Sequence, residues 1–403
     1  MFKFALKNMA IKKVQVILVI ISIIISASVG VLAFNVSSQV SDGITSNAGY
    51  YSLIVGPAGS NTQLAMNSMY FTDEPLGTIP YSIYEELKEN DKVTKAIPYA
   101  MADNYNGASV VGTTKEFLDG KELQSGTMFS KDGTLEAVVG ARVAAENGLS
   151  VGDEIYTSHS AVGSSTHATP IKVVGILEET YSAYDKVVFT QIETLWHIHD
   201  HSEGEEGEEP EEGEEHHHDH GTVCAILLNT KNPTYAMQLV NEYDGKIVTH
   251  DGETYTLQAV EPMSVVRDVL SEADDTQYIV FVLCAIILLM NIMVISIITL
   301  LNMYHSAKEI SLMRLIGISM KKINLLYLIQ NSIIGLISTL AAFGVSRLCL
   351  LLVDDYVSSM GVVLNLGTVY IEEIFILAGI FLISVIPTLI CTFVMAKRDS
   401  LAE

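Results

Sequence analysis

From Thr276 to Ala307 the chain carries no Asp, Glu, Lys or Arg, and the run from Tyr278 to Met290 continues apolar to Leu301. A helix crossing the hydrocarbon core needs about 20 such residues, so this stretch must be placed in a bilayer or buried on all sides. Three other stretches pass the same test: Val14 to about Phe34, Ile323 to Ser346, and Ile374 to Ala396. With 49% hydrophobic residues, the composition belongs to the membrane class. The first stretch has a second reading as a cleaved signal peptide, because Lys3, Lys7, Lys12 and Lys13 precede it and small residues follow. Its apolar run exceeds the roughly 7–15 residues of a signal core, which favours an anchor.

Lys and Arg near the membrane ends set the orientation. Four such residues precede the first span, Lys308, Arg314, Lys321 and Lys322 lie between the second and third, and Lys397 and Arg398 follow the last. These segments, and with them both termini, are expected in the cytoplasm of a multi-pass protein of the cell membrane. The organisation that follows is a cytoplasmic interfacial helix at 1–13, spans at 14–34, 276–301, 323–346 and 374–396, and an extracytoplasmic domain at 35–275. A cytoplasmic loop at 302–322, an external loop at 347–373 and a cytoplasmic tail at 397–403 complete it.

Residues 35–275 hold 40 acidic and 12 basic side chains, a net charge of −28 against −24 for the whole chain. Such a surface repels nucleic acid. Cys224 is the only cysteine in that domain. No internal disulfide is therefore available, and the domain must fold on its own apolar core.

Within the domain, Tyr51–Val55 reads as a strand ending in a turn at Gly56–Gly59, and Tyr81–Lys88 has helical spacing at Ile83 and Leu87. Strands are expected at Val93–Met101, Ala108–Gly112, Glu136–Gly140, Val151–Tyr156, Ile171–Leu177 and Lys186–Phe189, with a helix over Ala141–Asn147 stopped by Gly148. This is a mixed α+β pattern in which strands outnumber helices. The glycines at 56 and 59 lack a following Gly-Lys-Ser/Thr and do not form a nucleotide loop.

The order of these elements, above all Val139–Ile155, then Val173–Leu177 and Val188–Phe189, resembles the periplasmic core domain of MacB-type ABC transporter permeases. The segment Lys308–Ser319 is similar to the FtsX-like permease signature, and Pro387 in the last span with the polar ending Arg398–Glu403 fits the same family. The resemblance covers nearly the whole chain. It implies a fold in which an α+β extracytoplasmic domain is inserted between one amino-terminal helix and three carboxy-terminal transmembrane helices. It also implies a non-catalytic subunit working as a dimer, homomeric or with a paralogous permease, and driven by a cytosolic ABC ATPase on another chain. An extracytoplasmic adaptor or lipoprotein is a further candidate partner. Carried onto this sequence, Lys308, Glu309, Ile310, Arg314 and Gly317 are the ATPase-coupling residues, with Gly317 ending the helix. Read without the resemblance, they are an ordinary positive-inside loop.

The family does not account for His197, His199 and His201, followed by fourteen residues rich in Glu and then by His216, His217, His218 and His220. Seven of the eleven histidines fall in these 24 residues. The pairs His197/His201 and His216/His220 are spaced i, i+4, which would place imidazoles on one face of a helix. Neutral imidazole nitrogen suits Zn²⁺ or another divalent transition metal. The plainer reading is a solvated acidic insertion in a surface loop. His159, His167 and His250 are candidates to complete a site, each alone reading as an exposed loop histidine. Apart from this metal no cofactor is expected in the chain. Asp354, Asp355, Glu372 and Glu373 read as solvated helix ends, and Arg347 as a side chain reaching for the outer interface. Two other functions fit parts of the pattern: a regulator of an envelope hydrolase that transports nothing, and a membrane-anchored metal-binding protein.

Overall fold

The computed structural model describes residues 2–48, 50–130, 134–159, 166–200, 221–271, 312–358 and 361–399, with scattered helical positions between 278 and 297. The chain divides into two compact units. One comprises Met1–Gln39, Glu272–Asp355 and Asn365–Glu403, and the other Val40–Ser271 with Tyr356–Leu364.

The first unit is helical. It contains α1 (Phe2–Ile11) and the greater part of three long helices: α2 (Lys13–Ala48), α8 (Met320–Ser358) and α9 (Ile371–Asp399). Among the described residues, Lys13–Thr45 and Lys322–Ser358 are long and apolar enough to cross a membrane by length and composition. Of the expected second span, only scattered positions are described. Val19, Ile23 and Ala27 of α2 pack with Ile334 and Ala342 of α8 and Ile380 of α9. Small residues let such helices approach closely. At Gly335 a Cβ would lie 2.2 Å from the Ser384 hydroxyl, so a larger residue there would have to turn that hydroxyl aside.

Polar groups on the same three helices form a buried network. Glu373, expected at a solvated helix end, is fully buried. It pairs with Arg347 of α8 and accepts from Asn35 Nδ2 of α2. Gln39, one turn beyond Asn35, donates to the Asn35 side chain at 2.6 Å and accepts from the Asn365 backbone N–H at 2.7 Å. Arg347 therefore turns inward to a partner rather than outward to the interface, because an uncompensated carboxylate at Glu373 would be far more costly.

The second unit is α+β. Its strands are β1 (Leu53–Pro57), β2 (Ile79–Pro80), β3 (Val93–Tyr105), β4 (Ala108–Thr113), β5 (Leu123–Gly126), β6 (Glu136–Val139), β7 (Glu154–Ile155), β8 (Ile171–Leu177), β9 (Val187–Gln191), β10 (Thr222–Val223), β11 (Ala225–Thr230), β12 (Ile247–His250) and β13 (Glu253–Val260). The large sheet runs β12-β13-β1-β11-β3-β4-β9-β6-β8-β5, with β7 on β8, and β2 pairs with β10 separately. Most neighbours are antiparallel; β4 with β9 and β6 with β8 are parallel.

Its helices are α3 (Asn61–Tyr70), α4 (Tyr81–Lys88), α5 (Ala141–Asn147), α6 (Ile192–Asp200) and α7 (Pro233–Tyr243). Helix α4 has the bounds read from the sequence, and Gly148 is the left-handed C-cap of α5. Helix α3 ends at Phe71, whose φ of 57° is unusual for a bulky residue. Its ring is buried against Tyr99, Phe117, Tyr184 and Phe189. Burying a Phe side chain is worth about 1.5–3 kcal/mol, enough to offset the backbone cost of about 1–2 kcal/mol.

Candidate functional site

One cluster of metal-capable side chains in the second unit joins three separate parts of the chain. In β3 the pairing with β4 slips between Met101 and Asp103, so that an extra residue bulges out. Ala102 becomes exposed and Asp103 buried. Just beyond the bulge, Asn104 bridges Ser158, which in turn bridges Thr166, both antiparallel. Side chains alternate between the two faces of extended chain, so these bridges put Asp103, Thr157, His159 and His167 on one face. Over that face lies α6, which packs against β3, β4 and β9. Ile192, Leu195 and Ile198 are its buried apolar residues. His199, one turn after Leu195, shares their side of the helix.

The result is a constellation of Asp103, His159, His167 and His199 with one ligand atom from each lying within 4.8 Å of all the others. The three imidazoles converge on a single oxygen, Asp103 Oδ1: His199 Nε2 at 3.1 Å, His167 Nε2 at 3.4 Å and His159 Nδ1 at 3.5 Å. The other oxygen, Oδ2, accepts from the Thr157 hydroxyl at 2.7 Å. The Asp103 side chain is wholly buried and that of His167 is 7% exposed, whereas His159 is 50% exposed and opens the cluster to solvent. His167, expected as an exposed loop residue, is thus held inside. Burial raises the Asp103 pKa, but hydrogen bonds from His199 and Thr157 and the positive potential of the histidines outweigh it, so the carboxyl ends below its usual range. Desolvation together with the neighbouring His167 and His199 holds His159 below the ordinary imidazole range, against the pull of Asp103. Three imidazoles and one carboxylate are together a donor set for a divalent transition metal.

Of the histidines singled out in the sequence, His199 enters this cluster. His197 is exposed on another side of α6 and is not a member. His201, His216, His217, His218 and His220 lie outside the described residues. His250 sits on β12 beside Asp251 at 3.2 Å. The sequence carries no local signal for Asp103 or Thr157. The signal that could have found α6 is the spacing of Ile192, Leu195 and Ile198, three residues apart.

In the other unit, Lys308, Glu309 and Ile310 lie outside the described residues. Residues 312–315 form a helical turn carrying Arg314. The N–H of Ile318 bonds to the Met313 carbonyl at 3.0 Å and that of Gly317 to the Arg314 carbonyl at 2.9 Å, the paired bonds of a Schellman motif. Gly317 has φ +89°, which a residue with a Cβ adopts only under strain. Leu312, Leu315 and Ile316 around this turn are exposed.

Residues 16–241 match the MacB-like periplasmic core domain family, and residues 279–399 match the FtsX-like permease C-terminal family. Among solved structures, the periplasmic region of MacB from Actinobacillus actinomycetemcomitans is similar at 10% identity and a TM-score of 0.34, over 56% of this chain and 97% of that one. The extracellular domain of the noncanonic ABC-type transporter YknZ from Gram-positive bacteria is similar at 14% identity and a TM-score of 0.31, over 52% of this chain and 98% of that one. No curated protein sequence matches the chain.

Proposed function

The chain belongs to the family of ABC transporter permeases that join a MacB-like periplasmic core domain to an FtsX-like permease domain, and on that premise we propose that it passes the movement of a cytosolic ATPase on another chain to its own extracytoplasmic domain. The movement serves export or extraction of a substrate. The domain bounds are those read from the sequence: the drive is received at 302–322 and delivered to 35–275. Both termini are cytoplasmic in this reading, and the subunit acts as a dimer with itself or a paralogue.

The observation that carries the proposal is the make-up of the second unit, which includes the carboxy-terminal ends of α2 and α8 and the loop that follows α8. Ile44, Val357, Val362, Val363 and Leu364 are buried. The Tyr70 hydroxyl donates to the Ile44 carbonyl, and Arg142 Nη1 donates to Ser358 Oγ at 3.1 Å. Two apolar helices thus end within the α+β unit, tied by these bonds to α3 and α5, and a displacement of either end would load those two helices first. At the receiving end, Lys308, Glu309, Ile310 and Arg314 form the docking handle. Gly317 closes the helical turn that presents Arg314 beside exposed Leu312, Leu315 and Ile316. The histidine- and glutamate-rich stretch 197–220 adds loose recruitment of zinc or a similar ion to the external domain.

Arg314→Glu tests the handle. It is expected to abolish co-purification of the ATPase while the permease still inserts in the membrane. Undiminished co-purification would overturn the assignment.

A further inference from the structure

We propose that Asp103, His159, His167 and His199 form a closed, four-ligand site for a single Zn²⁺ ion that clamps α6 to β3, distinct from the loose binding assigned to the other histidines of the 197–220 stretch. Three of the six ligand–ligand edges fit the ion, and the other three, between imidazole nitrogens, lie within 4.8 Å. Zinc bonds of about 2.0–2.1 Å arranged tetrahedrally place neighbouring ligand atoms about 3.3 Å apart. The three separations measured from Asp103 Oδ1 are 3.1, 3.4 and 3.5 Å.

Hydrogen bonding alone accounts poorly for the same arrangement. A carboxylate oxygen offers two lone pairs, and three imidazole nitrogens converge on Oδ1 while Oδ2 is already engaged by Thr157. An ion at the centre removes the surplus, because each imidazole then presents a lone pair to the metal instead of a proton to the oxygen. The imidazole centroids lie 4.3–5.4 Å apart, a crowding that neutral ligands tolerate and three imidazolium charges do not. The donor set also narrows the choice of ion. Calcium and magnesium prefer oxygen cages, and copper(I) prefers thiolate and thioether sulfur.

Four protein ligands with no open position is the pattern of structural rather than catalytic zinc. The Thr157 hydroxyl on Asp103 is the outer hydrogen bond that orients a metal carboxylate. Solvent reaches the cluster past His159, which gives the ion its entry. The ligands span 96 residues between Asp103 and His199, so occupancy ties the sheet, the bridged residues around Ser158 and Thr166, and α6 into one piece. Helix α6 is also the element from which the chain enters the histidine- and glutamate-rich stretch, and it returns beside α6, where Trp196 Nε1 donates to the Thr222 carbonyl at 3.1 Å. The site makes no use of the drive at 302–322, so either reading can fail without the other.

The test uses the full chain in detergent, stripped with a chelator and titrated with Zn²⁺ against a chromophoric competitor, beside a variant lacking residues 202–219. Both are expected to take up one tightly held equivalent. His159→Ala, at the exposed ligand and therefore least disruptive to folding, is expected to weaken that equivalent at least about 100-fold, the upper end of what loss of an outer-shell partner alone costs. His250→Ala, outside the cluster, is expected to leave it unchanged. Co²⁺ in place of Zn²⁺ should give the intense visible absorption of a tetrahedral site in the shortened variant, and His159→Ala should abolish it. Loss of the tight equivalent on removing 202–219, or its survival in His159→Ala, would overturn the proposal. An octahedral cobalt spectrum would do the same.

Discussion

Replacing Arg347 by leucine isolates a carboxylate that has no water to turn to. In the intact network Glu373 is fully buried and has the Arg347 guanidinium, Asn35 Nδ2 and the Tyr370 N–H as partners. Removing one partner of a buried ion pair costs about 3–5 kcal/mol, mostly because the remaining charge is left uncompensated. Glu373→Leu should cost a similar amount. It strands a guanidinium whose Nε and Nη1 already lack hydrogen-bond partners among the described residues. The double replacement removes both charges and restores apolar packing among α2, α8 and α9, so its cost should fall well below the sum of the singles. The expected coupling is a few kcal/mol in favour of the double variant. The assay is the temperature at which the detergent-solubilised chain loses its monodisperse peak. Each single variant should drop on the order of 10 °C, and the double variant should recover most of that. If the double falls as far as the two singles combined, the pair is uncoupled and the network does not hold the three helices together.

Gly317→Val forces a β-branched residue into the left-handed region and should cost about 1–2 kcal/mol locally, weakening ATPase co-purification, whereas Gly317→Asn should be tolerated; equal behaviour of the two would refute the role of the turn. Burial pushes the Cys224 thiol up to about 11. In a variant lacking the other three cysteines, iodoacetamide at pH 8 should therefore modify the native chain on the order of 100-fold more slowly than the unfolded one, and rapid native alkylation would contradict its placement. Zinc at the four-ligand site should be released as pH falls below the imidazole range, because protons compete for the same nitrogens. His159, held below that range, keeps its lone pair to lower pH than a free imidazole, and Asp103 stays charged lower still. Retention that is flat from pH 7 to pH 4 would count against histidine ligation.

The parts legible in the sequence are those where one local signal decides. Charge-free length marks the long helices α2, α8 and α9, and Ile83 and Leu87 mark α4. Gly148 and Gly317 mark helix ends because no other residue type enters the left-handed region as cheaply. The cluster was legible only in fragments. His159, His167 and His199 are visible as histidines, but what unites them is a pair of single-residue bridges around Ser158 and a bulge at Ala102 that turns Asp103 inward. A bulge breaks the period of two on which strand reading depends, so Asp103 looks like an ordinary strand-end acid. The choice of His199 over His197 follows from the phase of α6, set by Ile192, Leu195 and Ile198, and not from the density of histidines nearby. Glu373 reads as solvated for a related reason: its partners Asn35 and Arg347 lie 338 and 26 residues away in the sequence, and nothing local announces the pairing.

Transmission of force from a cytosolic ATPase requires the 302–322 segment and the acidic domain to face opposite sides of the membrane. Single cysteines placed at Lys308 and at exposed Ile247 of β12, in a chain otherwise free of cysteine, can be labelled in intact cells with a membrane-impermeant maleimide. The expected result is labelling at 247 in intact cells and at 308 only after permeabilisation. Labelling of both positions in intact cells, or of neither, would put handle and domain on one side and contradict the transmission of force from an ATPase.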